Sequence, residues 1–333
     1  MPAPRRILFL VSGLDEVSCR FRILQYVPYL QRMGIQVEVA DLHASAAARW
    51  KILRSAASYD SVCVHRVFLS PLEQRRLHRV ARGYVFDFDD AIMFRDSSHR
   101  RFESWQRRRR FRRMVAGART VIAGNNYLAE WASRFSGRVR VIPTSIDLSA
   151  YPERHAERRA GPSGEPVIGW IGTRINLMYL TPILPALARV ARRRPKVKFK
   201  IVADGFVDVP GVAVTKKSWS LEDEVDDVTS FQVGIMPLPD DPWTRGKCAV
   251  KILQYFAAAV PVVCSPVGAN LEVVEHGRSG YFAATEDEWV ARLDELLGNA
   301  QRRRQFGQAG RETVQRRYAI ESTVDDFVKA LGG

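Results

Sequence analysis

Apolar runs of four to six residues alternate with segments of helical period along the whole chain, and this alternation restricts the fold more than any other feature. A strand buried on both faces carries no in-out pattern, so such runs with helices between them predict βα units and parallel sheets. In the first half the runs RILFLV, QVEVA, SVCVH, YVFDF, TVIA and RVIP read as strands, with helices near 20–33, 44–57, 71–82, 98–118 and 126–135. The stretch DLSAYPERHAERRAGPSGE, 147–165, loses the periodicity and gathers Pro, Gly and charge, as a linker does. The pattern then restarts with PVIGWIG, VKFKIVA, VGIMPL and VPVVCS, and helices are expected near 177–194, 247–258, 286–298, 301–316 and 319–331.

The expected fold class is therefore α/β, with two Rossmann-like doubly wound domains facing across a cleft. They span 1–146 and 166–318, joined by the linker 147–165. A final helix in 319–333 is left to pack back on the first domain. A chain of 333 residues is long enough for two cores. No apolar run approaches the roughly 18 residues a membrane-spanning helix needs. The run in MPAPRRILFLVSG is also too short for a signal peptide, so a cytoplasmic protein is expected. Cys19, Cys63, Cys248 and Cys264 form no CxxC pair and no metal-ligand spacing with the histidines, so they read as reduced and packed. The net charge of +15 is uneven, since residues 1–150 hold 26 Lys+Arg against 13 Asp+Glu. The basic excess belongs to the first half.

Two places suit an anion. In RGKCAVKILQYFAAAVPVV, 245–263, a helix would put Lys247, Lys251 and Gln254 on one face, with Gly246 at its start. Free N–H groups and the positive dipole end favour a phosphate there. In GWIGTRINL, a strand ends in Gly172 and is followed by Thr173 and Arg174, with Asn176 placed to cap the next helix. Together they suggest a diphosphate held between two helix starts of one domain.

The order GWIGTR, VGIMPL, then GKCAVKILQYFAAAVPVVCSPVGANLEVVEHGRSGYFA resembles the donor domain of family 4 glycosyltransferases of the GT-B architecture. VSGLDEVSCRFRILQYVPYLQRMGIQVEVA resembles their opening strand, loop and helix, and IPTSIDLSAY their hinge. The resemblance implies sugar transfer from a nucleotide diphosphate sugar, with retention of configuration and neither a metal nor another cofactor. Two glutamates that the family carries eight positions apart are Gly246 and Gln254 here, and a lysine near the first phosphate loop is Tyr179. Lys247 or Lys251 is then expected to supply the missing charge, with Arg174, Lys247 and Lys251 stabilising the leaving diphosphate. Gln254 would bond the ribose. Glu272 fits a ribose contact or a helix start, Trp219 a stack on the base or a core indole, and Asp241, beside Asp240, a sugar contact or plain turn chemistry.

On the acceptor side, Ser12 and Gly13 end the first strand, with Arg20 and Arg22 at the next helix start. Arg20 is open to a phosphate contact or plain exposure. His65 and Arg66 end the third strand, and Asp87, Asp89 and Asp90 in YVFDFDDAIMF read as an acidic cluster or helix-start caps. The same run resembles the haloacid dehalogenase phosphatase motif, with Asp87 as nucleophile and Asp89 as acid, except that Ala91 stands where that family has Thr or Val. In SHRRFESWQRRRRFRRMVAGA, Phe111, Met114, Val115 and Ala118 share one helical face and Phe102, Trp105, Arg109 and Arg112 the other. Aromatics among arginines suit the anionic inner face of a membrane, with a solvated charged helix as the alternative. No nucleic-acid motif accompanies them, and no nucleic-acid partner is expected.

The function expected is a metal-independent glycosyltransferase using a nucleotide sugar and a hydroxyl acceptor that is a saccharide, a lipid-linked sugar or a small molecule. Surface-polysaccharide or natural-product glycosylation is the expected setting. A non-catalytic binder of nucleotides or anionic surfaces on the same architecture, and a nucleotide-sugar epimerase, are the alternatives.

Overall fold

A computed structural model describes residues 6–42, 45–81, 83–152 and 165–332, and the chain divides into two units. The first comprises Met1–Ser145, Asp241–Cys248 and Ile320–Gly333, and the second Ile146–Asp240 and Ala249–Ala319. Residues 153–164, most of the expected linker, lie outside the described residues.

The first unit carries β1 (Arg6–Val11), β2 (Gln36–Asp41), β3 (Ser61–His65), β4 (Val85–Phe88), β5 (Thr120–Ala123) and β6 (Val139–Val141). They form one parallel sheet in the order β2-β1-β3-β4-β5-β6. Alternate residues of each strand serve opposite cores, as a two-residue period requires. Leu8, Leu10, Val64, Phe86 and Val121 face one core, with Leu77 and with Phe111 and Met114 of the helix Trp105–Gly117. Ile7, Phe9, Val11, Cys63 and Val85 face the other, which the C-terminal helix Ile320–Gly332 closes with Ile320, Phe327 and Leu331. The Phe327 ring stands 4.4 Å from that of Tyr26 and is stacked 6.1 Å from that of Phe9.

The second unit carries β7 (Val167–Ile171), β8 (Lys198–Ala203), β9 (Val214–Ser218), β10 (Val233–Met236), β11 (Val262–Cys264) and β12 (Gly280–Phe282), in the order β12-β11-β10-β7-β8-β9. Its pairings are parallel too. Two strand positions are glycine because aromatic rings occupy the space of a side chain. A Cβ on Gly169 would lie 2.0 Å from the Phe231 ring, and one on Gly234 would lie 2.4 Å from that of Tyr255. The Tyr255 ring thereby brings the helix Val250–Ala257 close onto β10. On the other face Trp170, Phe199 and Ile201 pack with Leu187 of the helix Leu184–Arg193 and Leu293 of the helix Glu286–Gly298.

Several elements differ from the sequence expectation. The helix expected over 20–33 breaks at Ile23 (φ −124°, ψ −60°) into Val17–Arg22 and, after a 3-10 turn, Val27–Arg32, whose second residue, Pro28, has no N–H to give. Arg20 and Arg22 therefore end a helix instead of starting one. The basic helix begins at Trp105, so Phe102 lies before it and packs against the core. Strands β9 and β12 and the helix Glu224–Thr229 were not expected. Strand β9 is a polar edge strand, VTKKS, and β12 is only three residues long, so neither leaves an apolar run.

Candidate functional site

In the second sheet strand order reverses between β7 and β10, and ligands of such sheets bind at the carboxyl ends beside that switch point. Gly172 follows β7 there, its N–H donating to Val202 O at 3.0 Å. A Cβ on it would come 2.8 Å from Lys251 Cε and 2.6 Å from the Trp170 ring, so glycine is what lets the Lys251 stem run beside the backbone. The Lys251 ammonium stands 5.4 Å over the Trp170 ring, in the first turn of the helix Val250–Ala257. Further along that helix Gln254 is 4 % exposed, and its Nε2 is buried with no hydrogen-bond partner.

Thr173 precedes a 3-10 helix, Arg174–Tyr179. Its hydroxyl accepts from Asn176 Nδ2 at 2.9 Å, which makes Asn176 a member of that turn and not the cap of the next helix. Arg174 bonds Asp204 twice, through its backbone N–H to the carboxylate and through Nη2 to the carbonyl, and lies over Gly205. That ties the Gly172–Arg174 loop to the end of β8. Trp219 stands at the end of β9, 41 % exposed, with its indole N–H on Glu224 Oε2 at 2.8 Å, so it is not a core indole. Glu272 sits in the short helix Asn270–Val273, its carbonyl accepting from Tyr318.

Three residues expected at the donor site are held differently from the sequence expectation. Lys247 is not on the helix with Lys251 and Gln254: the helix starts at Val250, Ala249 before it takes a left-handed φ of 55°, and Lys247 is extended. Its ammonium lies 3.8 Å from Asp90 and 5.6 Å from the Trp243 ring, within the first unit. Gly246 does not open the helix either. It closes a 3-10 turn, and a Cβ on it would meet Ala91 at 2.6 Å, so its small size serves packing. Asp241 accepts from Trp243 N and Thr244 N at 2.8 Å each and from Ser97 Oγ at 2.8 Å, which is turn chemistry.

In the first sheet the order reverses between β1 and β3, and a buried polar chain crosses that point. Arg22 on the helix after β1 is 1 % exposed, forks onto Asp87 in β4, and donates to Ile142 O at 2.7 Å. His65 Nδ1 meets Asp87 Oδ2, the oxygen that also accepts from Arg22 Nε, at 2.6 Å, and its Nε2 meets Ser18 Oγ at 2.8 Å. The Ser18 hydroxyl in turn reaches both Asp89 oxygens at 2.6 Å. Burial pushes the Asp87 carboxyl up, but the Arg22 charge and the bonds from His65 and Arg22 outweigh it and hold the pKa at about 2. A fully buried Asp87 gripped on both oxygens is no phosphatase nucleophile, and it lies inside a strand, not at a helix start. Beside the chain, Arg66 (φ 58°) sits 3.1 Å from Asp90 and 3.7 Å from Asp89. Ser12 Oγ donates to Glu16 at 2.9 Å, Gly13 adjoins the Glu16 stem, and Arg20 lies half-buried over the Phe21 ring.

The sequence reading missed Ser18 and the burial of Arg22. A signal was present: Asp87 interrupts the apolar run YVFDF, and a charge inside a buried strand needs a cation to meet it. All four cysteines are free and buried, as expected, and Cys248 Sγ donates to Asp89 O at 3.2 Å.

Residues 165–299 match the family described as glycosyl transferases group 1. A comparison with curated protein sequences finds no match. Among solved structures, Anabaena HepE in complex with UDP and glucose is similar at TM-score 0.71 and 18% identity, covering 98% of this chain and 99% of that one. Sucrose-phosphate synthase from Thermosynechococcus elongatus is similar at TM-score 0.74 and 15% identity, covering 98% of each chain. A glycosyltransferase from Rickettsia africae is similar at TM-score 0.66 and 13% identity, covering 97% of each.

Proposed function

We propose that the protein is a family 4-like glycosyltransferase that moves a hexosyl group from UDP-sugar to a hydroxyl acceptor, a reading supported by the match of residues 165–299 to glycosyl transferases group 1 and by the likeness of the fold to solved glycosyltransferases. The observation that carries the donor site is Lys251 running beside Gly172 at the switch point of the second sheet, with the buried, unbonded Gln254 amide further along the same helix. A buried amide donor without a partner costs stability unless a ligand satisfies it, and ribose hydroxyls do. Lys251 and Arg174 hold the diphosphate as its charge grows, in place of a metal ion, and configuration at the anomeric carbon is retained. Uridine is the base tested first, because HepE has been solved with UDP.

A thermal-shift series with UDP, GDP and ADP checks this. UDP at about 100 times its Kd is expected to stabilise the native chain by about 2.7 kcal/mol, visible as a raised Tm. A chain whose Tm no nucleoside diphosphate moves is not a nucleotide-sugar enzyme, and one that binds UDP without turning over UDP-sugar is the non-catalytic binder.

We further propose that the acceptor is reached at an anionic membrane surface on the cytoplasmic side. Trp105 is 71 % exposed at the start of the arginine-rich helix, Arg109 stands over its ring at 5.2 Å, and Arg107, Arg110 and Arg112 are exposed around it. Each such cation adds about 1 kcal/mol near anionic lipid. Among the described residues no helix is long and apolar enough to cross a membrane, so the association would be peripheral. In flotation, the protein is expected to rise with phosphatidylglycerol vesicles and stay down with phosphatidylcholine; sedimentation with both would remove the surface.

A further inference from the structure

The paired strands β7 and β8 each lead, at their carboxyl ends, to a glycine beside which the stem of a cation runs. Gly172 lies beside Lys251. Gly205 lies beside Arg174, and a Cβ on it would come 3.0 Å from both Cγ and Nε of the arginine. Both glycines and both cations belong to the second unit. Asp204, between β8 and Gly205, holds the same arginine by its main chain: its carboxylate accepts the Arg174 backbone N–H, and its carbonyl accepts from Arg174 Nη2 at 3.4 Å. A carboxylate and a guanidinium on such close neighbours would ordinarily pair with each other. Here they do not, and among the described residues Arg174 makes no ion pair.

We infer that Asp204 is a positioning residue of the donor site, fixing the Arg174 backbone so that an unpaired guanidinium meets the diphosphate; this rests on the glycosyltransferase reading above. Together with the Gly172 N–H on Val202 O, the bond fastens both ends of the loop Gly172–Arg174 to β8 and the residue that follows it. An arginine anchored at its own backbone and bedded on glycine has less freedom to lose when a phosphate arrives. Had the Asp204 carboxylate paired with the guanidinium, a phosphate would have to compete with it for the same donors.

A carboxylate near a phosphate site repels the ligand, so an aspartate that merely stood there would weaken donor binding, and its removal would tighten it. One that merely closed the turn into the 3-10 helix Arg174–Tyr179 would act on stability, with or without the arginine side chain. A positioning role predicts the opposite of the first and a dependence that the second lacks. Removal of Asp204 weakens binding, and does so only while the Arg174 guanidinium is present to be aimed.

Calorimetric titration of the full chain with UDP tests this, or with GDP or ADP if that diphosphate raises the Tm in its place. Arg174→Ala is expected to raise Kd by about 10- to 100-fold, the range for hydrogen bonds to a charged group, and Asp204→Ala by about 10-fold. Asp204→Asn keeps an oxygen for the Arg174 N–H and is expected to recover most of that loss. In an Arg174→Ala background, Asp204→Ala is expected to leave Kd unchanged or lower it, since only a repulsion is then removed. Asp204 is exposed, so each variant is expected to fold as the wild type does. Asp204→Ala that binds as tightly as wild type, or that loses the same factor with and without the Arg174 side chain, overturns the assignment. Wild-type protein that binds none of the three diphosphates overturns the donor reading instead.

Discussion

Arg22→Met is expected to cost the first unit about 3–5 kcal/mol, because it leaves the Asp87 carboxylate buried with no full charge against it. Asp87 has no exposed surface and Arg22 is 1 % exposed, so water cannot replace the lost partner. The loss should show as a lower urea midpoint for this variant, against a much smaller change for an exposed control such as Arg101→Met. The same pair makes an acid-stability prediction. Asp87 titrates at about 2 in the fold against an ordinary value of 3.8, so in this window the unfolded chain binds the proton first. Its contribution is whole above about pH 4 and is lost as the pH falls toward 2, amounting to about 2 kcal/mol. Asp87→Asn should flatten the stability profile between those limits. A profile unchanged in both variants would mean the pair carries no net charge interaction.

Lys251→Ala is expected to reduce nucleotide-sugar turnover by about 10²- to 10³-fold, the range found when one preorganised charge-stabilising group is removed. The leaving diphosphate gains charge as the glycosidic bond stretches, so the effect should fall on kcat more than on KM, with Lys251→Arg recovering part of it. Lys247→Ala is the informative comparison. Its ammonium is turned to Asp90 and Trp243 in the first unit, and the UDP-induced rise in Tm is expected to persist without it. Equal loss in both variants would return Lys247 to the donor machinery.

The strand-helix alternation was legible because parallel strands buried on both faces leave continuous apolar runs, and RILFLV, SVCVH and VIGWI are all such strands. β9 escaped notice since VTKKS lies at a sheet edge, where one flank is open and polar residues cost nothing. Lys247 was misplaced by a backbone event that composition does not signal: Ala249 adopts a left-handed conformation and breaks the helical spacing two residues after the lysine. Arg22 was placed at a helix start beside Arg20, and nothing local marks it as buried. Its partner is 65 positions away in sequence, beyond the reach of any periodicity. Gly172, by contrast, was picked out at a strand end, and the reason for it there is the close passage of Lys251.

The segment Asp241–Cys248 belongs to the first unit although second-unit residues flank it on both sides, and the C-terminal helix returns to the first unit after Ala319. Gene surgery therefore cannot follow the linear order of the chain. A fragment stopped at Ser145 would lack the helix that covers Ile7, Phe9 and Val11, as well as the octapeptide whose Gly246 and Cys248 pack on Ala91 and Asp89. Swapping residues 146–319 as one block for those of a relative would import foreign residues into the interior of the first unit, because Asp241–Cys248 lies within that block. The heritable module is the whole polypeptide, and changes to the second unit have to be made with the core of the first held compatible.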